Sequence, residues 1–261
     1  MFQAVSQEPR GAGRPDRSLA DVSQSDAPKA AASVPPPYVV RVCRAAEGCP
    51  RAVVDVAAAA AALTATLDVV DVAGVVRRKA GTGRLLEHHR FKVTLCGCPN
   101  ACSQPQIADV GLVGQERPLL DGAACSGCGL CVDACAEAVF SLADGHLSMD
   151  ESRCVGCGAC MRVCPTVALT PAATGWRVLV GGRLGRHPRL GAEVMSCTAL
   201  DGARTVATKV IELWELEGRR DERVGVLLDR LAYQEDAKDE DGEDARSIAL
   251  TRLLLQGEVE S

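Results

Sequence analysis

Fourteen cysteines stand in this 261-residue chain, and twelve of them fall into three sets of four whose spacing leaves the backbone little choice of path. Two sets repeat one pattern: Cys125, Cys128, Cys131 and Cys135, then Cys154, Cys157, Cys160 and Cys164, with two, two and three residues between successive cysteines. The third set is split, Cys43 and Cys49 lying far before Cys98 and Cys102. Thiols two residues apart share one short loop and can converge on one centre, so the fold must be built around what they hold. The first 37 residues are rich in Ala, Ser, Pro and Gln and lack the apolar stretch of a secretory signal; they read as a disordered tail. A cytoplasmic, reducing setting is therefore expected, in which thiols bind metal rather than pair as disulfides.

A cubane [4Fe-4S] cluster needs four thiolates from different directions. A Cys-x2-Cys-x2-Cys loop supplies three, and its backbone amides can bond the sulfides. The two regular sets resemble the repeated run of two-cluster bacterial ferredoxins, where the fourth ligand is exchanged between motifs. That implies Cys125, Cys128 and Cys131 with Cys164, and Cys154, Cys157 and Cys160 with Cys135. Zinc sites pair Cys-x2-Cys units without this triplet-plus-one pattern. Pro165 follows the second run, whereas Ala136 stands where a proline usually follows the first.

Tyr38–Val42, Phe91–Leu95, Ile107–Val113 and Trp176–Val180 read as strands, and about 53–69, 205–216 and 223–232 as helices. The fold class is α+β, with the repeat at 118–171 inserted between a first part at 38–117 and a second at 172–232. An acidic linker and a C-terminal helix are expected within 233–261. No run is long enough for a membrane span. Seven aromatic residues and a net charge of −5 argue against nucleic acid. Basic residues gather at 77–92 and 183–189, which points to an internal anion site.

Cys43-Arg-Ala-Ala-Glu-Gly-Cys49-Pro, Gly97-Cys-Pro-Asn-Ala-Cys102 with its continuation to Gly114, and Val180-Gly-Gly-Arg-Leu-Gly-Arg-His-Pro-Arg-Leu190 resemble the sirohaem sulfite and nitrite reductases. With the ferredoxin-like insert, the similarity is to the dissimilatory and anaerobic sulfite reductase subunits. The resemblance implies a sirohaem/[4Fe-4S] reductase-type domain with three [4Fe-4S] clusters and sirohaem. Cys43, Cys49, Cys98 and Cys102 would hold the third cluster, and Cys102 would bridge it to the sirohaem iron. Arg183, Arg186 and Arg189 would meet the sirohaem carboxylates, and Arg90 and Lys92, two apart on a strand, one substrate anion. Electrons from an external donor protein would then reduce sulfite. The alternatives are nitrite as substrate, or an electron carrier that has lost sirohaem. Relatives carry a further domain before the first cysteine pair, so a second copy or another subunit is expected to close the pocket. His88, His89 and His187 read as incidental or as hydrogen-bond donors, and Cys96 and Cys197 as small buried side chains.

Overall fold

The structure, a computed structural model, describes residues 35–81, 83–234, 250, 251 and 254. The expected tail through residue 34, the acidic stretch 235–244 and most of the helix expected at 245–255 lie outside the described residues. In chain order the elements are β1 (Tyr38–Val42), α1 (Val56–Val69), α2 (Val72–Ala80), β2 (Phe91–Cys96), β3 (Val110–Leu120), α3 (Leu130–Ala134), β4 (Phe140–Ala143), β5 (His146–Met149), α4 (Ala159–Val163), β6 (Leu169–Val180), β7 (Ala192–Thr198), α5 (Leu200–Glu217) and α6 (Val224–Gln234).

The main sheet has the order β1-β2-β3-β6-β7; its first three strands are parallel and the last two antiparallel. Alternation assigns its two faces. Phe91, Val93 and Leu95 of β2, with Val110 and Leu112 of β3 and Trp176, Val178 and Val180 of β6, enter one buried core with α1, α2, α5 and α6. Phe91 stacks on Trp214 of α5 with ring centroids 6.1 Å apart. Lys92, Thr94 and Arg41 alternate onto the face away from these helices, where a cavity lies.

Two N-caps set the starts of the first helices. Asp55 accepts from Ala58 N at 2.9 Å and Asp71 from Gly74 N at 3.0 Å, so α1 begins at Val56, a few residues after the expected start at about 53. Among the described residues no single helix is long and apolar enough to cross a membrane. α1 and α2 pass such a test only as a pair bent by 60°, and both bury apolar faces in the core.

Parallel neighbours require a crossover of a dozen or so residues. Between β1 and β2 it contains α1 and α2. Between β2 and β3 it is the irregular loop 97–109, which carries Cys98 and Cys102. The chain leaves the sheet for the cysteine repeat along β3 and returns along β6, an antiparallel pair running from Val110↔Val180 to Leu120↔Leu169. Its register slips between Arg117 and Pro118, where Pro118 faces Pro171 and neither proline has an N–H to give the ladder.

Candidate functional site

Ligands of open sheets gather beyond the carboxyl ends of parallel strands, and here β1 and β2 end side by side, Val42 opposite Leu95. The ladder continues one step, Cys43 N donating to Leu95 O at 3.0 Å, so the loops bearing Cys43 and Cys98 start as neighbours. Cys43 Sγ accepts from Ala45 N at 3.4 Å and Gly97 N at 3.3 Å, and Val53 N donates to Gly97 O at 2.8 Å. Glycine permits this closeness. A Cβ at Gly97 would stand 2.8 Å from Ala45 Cβ, and one at Gly114 2.7 Å from Gly97 O. Burial pushes the Cys98 thiol up; Asn100 N opposes this, and Cys102, Cys49 and Cys43 add to it, so the other three thiols of the set all act on Cys98.

Cys96, buried, has a sewing role in the same loop. Its Sγ lies 2.9 Å from Ser103 Oγ and accepts Ser103 N at 3.2 Å, while Ser103 Oγ donates to Leu95 O. Cys197, half-buried, lies at an irregularity of β7, its N–H donating to Gln115 Oε1 at 3.1 Å.

The two regular cysteine runs adopt one backbone course twice. Each third cysteine, Cys131 or Cys160, lies buried inside a five-residue helix, α3 or α4, and each fourth, Cys135 or Cys164, ends it. Cys125, Cys128 and Cys131 line one space with Cys164 from the other run, together with Leu142, Leu147 and Leu169. The small core under these loops mixes thiols with Val139, Phe140 and Leu169. Burial raises Cys131, and raises Cys160 to about 11, in each case with two thiols of its own run contributing. At Cys164 burial again acts upward, but amides of Leu169, Thr166 and Ala168 and the Thr166 hydroxyl outweigh it and hold the thiol low. Val139 N likewise donates to Cys135 Sγ at 3.4 Å.

The second run docks on β3. Glu116 N donates to Gly156 O at 2.8 Å, and buried Gln115 donates from Nε2 to Val155 O at 3.2 Å. As a result Cys98, Cys135 and Cys157 line one cavity of about 680 Å³, whose walls also carry Arg51, Arg162 and Arg177.

A second cavity, of about 220 Å³, lies on the helix-free face and is lined by Arg41, Lys92, Thr94, Leu184 and Arg223. Its wall includes Ser103 and Gln104, the two residues after Cys102. Burial, then Arg223, lowers the Lys92 ammonium. The structure does not bring Arg90 to this cavity. Arg90 is held by Glu87, Nη1 lying 3.0 and 2.8 Å from its carboxylate oxygens, and lines a separate cleft with His88, His89 and Asp109. Arg183 and Arg189 are both tied to Asp229 on α6, Arg183 also donating to Gly225 O at 2.6 Å. Arg186 and His187 lie on the exposed loop, where the His187 carbonyl accepts Arg183 Nε at 3.3 Å. Arg41 and Arg223 were missed in the sequence. Arg41 had a usable signal, being two residues before Cys43 on a strand; Arg223 had none.

The donor chemistry fits iron–sulfur clusters. Thiols that burial keeps protonated when alone lose the proton to a metal, and the N–H donors aimed at Cys43, Cys135 and Cys164 offset thiolate charge. Among the described residues no three His, Cys, Asp or Glu side chains converge tightly enough for a single ion. The three cations that face the second cavity beside Cys102 suit carboxylates such as those sirohaem carries, and exposed Leu184 offers an apolar edge.

Residues 36–238 match the family of nitrite and sulphite reductase 4Fe-4S domains. The coenzyme F420-dependent sulfite reductase of Methanocaldococcus jannaschii is 32% identical over 147 residues, 56% of this chain and 24% of that one. One subunit of the anaerobic sulfite reductase of Salmonella typhimurium is 37% identical over 134 residues, 49% of this chain and 39% of that one. The chain thus spans well under half the length of either. The crystal structure of dissimilatory sulfite reductase I superposes on 75% of this chain and 50% of its own with a TM-score of 0.52 at 22% identity, a likeness of fold.

Proposed function

Because the chain belongs to the nitrite and sulphite reductase 4Fe-4S domain family, we propose that it is a sulfite reductase-like oxidoreductase that takes electrons from an external donor protein and reduces sulfite. In this reading 118–171 is the inserted two-cluster ferredoxin-like domain. Cys125, Cys128, Cys131 and Cys164 hold one cluster, Cys154, Cys157, Cys160 and Cys135 the second, and Cys43, Cys49, Cys98 and Cys102 the third. When bound, these groups supply one-electron transfer, and sirohaem supplies an iron that takes the lone pair of the substrate sulfur.

The observation that carries the reading is the junction. Cys98 of the third set and Cys135 and Cys157 of the second line one space, while the cations line another beside Cys102. The protein's own work is to bring the sets together through Gly97, Gly114 and Gln115, and to hold cations where anionic charge must be stabilised. Arg41, Lys92 and Arg223 face the anions directly. Arg183 and Arg189 fix the exposed loop against α6, and Arg186 remains on its rim. Exposed Leu184 and Leu190 on that loop, and a relative that is itself one chain of a larger enzyme, support closure by a further chain or a second copy.

The test is the purified anaerobic protein with reduced viologen as donor. Haem-like absorption bands, sulfite-dependent viologen oxidation, and at least a tenfold loss of turnover in Arg41→Ala and Lys92→Ala are expected. A broad brown shoulder alone, with electron exchange but no sulfite turnover, identifies a carrier instead. Faster turnover of nitrite than of sulfite would replace the substrate.

A further inference from the structure

Asp109 is a carboxylate that the proposed chemistry does not yet use. It sits where the 105–107 turn enters β3 and is 3% exposed. One oxygen, Oδ2, accepts Lys92 N at 2.8 Å; its main-chain oxygen accepts Gly181 N at 2.9 Å. It lines one space and stands next to another. Asp109 lines the cleft that holds His88 and His89, and Ala108 beside it lines the basic cavity. Arg223 borders both.

The charged groups around Asp109 are largely committed elsewhere. From the turn before β2, Arg90 is paired with Glu87, and His89 lies 3.9 Å from Asp221. From the loop before α6, Glu222 is bound by Arg230. From α2, Lys79 donates to the carbonyls of Glu215 and Gly218. That leaves Lys92 and Arg223 as the cations acting on Asp109, and both act to lower it. Burial outweighs them and pushes the carboxyl up to about 6. His88 is exposed; burial, His89 and Arg223 together lower its imidazole, so it is a neutral acceptor near pH 7.

Reduction of an oxyanion consumes protons as well as electrons. Bisulfite, for example, takes six electrons and six protons to become hydrosulfide and three waters. A cavity walled by Arg41, Lys92 and Arg223 attracts the anion, but its two guanidiniums hold their protons throughout, so within it Lys92 alone could release one, too few for repeated delivery without resupply. We propose that Asp109 is the proton-holding group of a relay that runs from solvent through His88, across their shared cleft, to water in the basic cavity. Each proton that leaves the carboxyl for the departing oxygen is replaced from solvent through His88, so Asp109 ends every delivery as it began, and no electron passes through it. Asp109 is thus a positioning residue for protons. The inference rests on the oxyanion-reducing reading of the basic cavity, but its central property can be measured without turnover.

The test compares the cofactor-loaded full chain with Asp109→Asn and His88→Gln. Carbon-detected NMR of aspartate carboxyls, assigned by loss of one signal in Asp109→Asn, should show a group titrating near 6. Sulfite turnover should fall in the parent as pH rises through that value. In Asp109→Asn it should be reduced at least tenfold near pH 6 and lose that limb. His88→Gln should be slowed severalfold and restored by added imidazole, which a purely structural role would not allow. If Asp109→Asn fails to fold, the imidazole response of His88→Gln decides. An Asp109 signal titrating in the ordinary carboxylate range, an unchanged pH profile in Asp109→Asn, or no imidazole response in His88→Gln overturns the relay. A parent that shows the raised titration but reduces no oxyanion refutes the functional reading instead, and with it the use of the stored proton.

Discussion

Replacing Gly114 with alanine tests whether the split cysteine set is one site. The new Cβ would lie 2.5 Å from Val54 Cγ2 and 2.7 Å from Gly97 O, against at least 3.4 Å for ordinary contact, so the Gly97 carbonyl must retreat by roughly 0.7 Å. That carbonyl accepts Val53 N at 2.8 Å, the bond that ties the segment after Cys49 to the segment before Cys98. Overpacking of this kind costs about 1–3 kcal/mol, and a weakened hydrogen bond about 1 kcal/mol more. Some 2–4 kcal/mol would therefore be lost between the two halves of one cluster site. The ferredoxin-like runs, whose cysteines all lie between β3 and β6, should keep their clusters. Iron and acid-labile sulfide analysis of anaerobically reconstituted protein should fall from about twelve to about eight atoms of each per chain, by ligand count. Gly122→Ala is the control, since nothing lies within 4 Å of a Cβ built there. Full iron content in Gly114→Ala with stability within about 0.5 kcal/mol of the parent would refute the argument.

Cys157→Ser should remove one ferredoxin-type cluster and slow turnover driven by a protein donor while sparing sirohaem absorption, whereas Cys102→Ser should disturb the sirohaem bands; identical haem spectra in both would remove the bridging role of Cys102. Asp229→Asn should release Arg183 and Arg189 and destabilise the protein by about 1–3 kcal/mol in denaturant titration, an estimate reduced from the fully buried case because both side chains keep some solvent access. Asp109 binds its proton more tightly when folded, at about 6 against 3.8. Its contribution to stability is therefore full below pH 4, declines as pH rises towards 6, and stays lost above; Asp109→Asn should flatten that decline by up to ~3 kcal/mol at pH 8. A stability curve for Asp109→Asn that parallels the parent would contradict this.

The strands and long helices were legible where one period dominated. β2 alternates in sequence, β1 is a short β-branched run, and the apolar spacing of α5 survives the charges on its outer face. α2 was hidden because Arg77, Arg78 and Lys79 crowd its last turn and read as an anion-binding cluster; in the fold Arg78 meets Glu215, and Lys79 the carbonyls at the end of α5. The β4–β5 hairpin had its signal in Asp144-Gly145, both with positive φ, a turn overshadowed by the cysteines on either side. β7 had little periodicity to offer, and its bulge at Cys197 is set by Gln115 of a distant strand. Individual site roles were harder than site existence. Cysteine spacing implies ligands by covalent geometry, but whether an arginine faces a cavity or a carboxylate depends on partners far along the chain. Arg183 finds Asp229, and Arg223 reaches the cavity from the start of α6.

We propose that three complete thiol sets and a basic cavity beside Cys102 make this chain a carrier of three clusters and sirohaem. The most direct test is one anaerobic, cofactor-replete preparation assayed together for iron, acid-labile sulfide, zinc and extractable sirohaem. About twelve cluster irons with matching sulfide, and sirohaem in proportion to the chain, are predicted. Saturation at about eight irons without sirohaem, or zinc in stoichiometric amount, would contradict it.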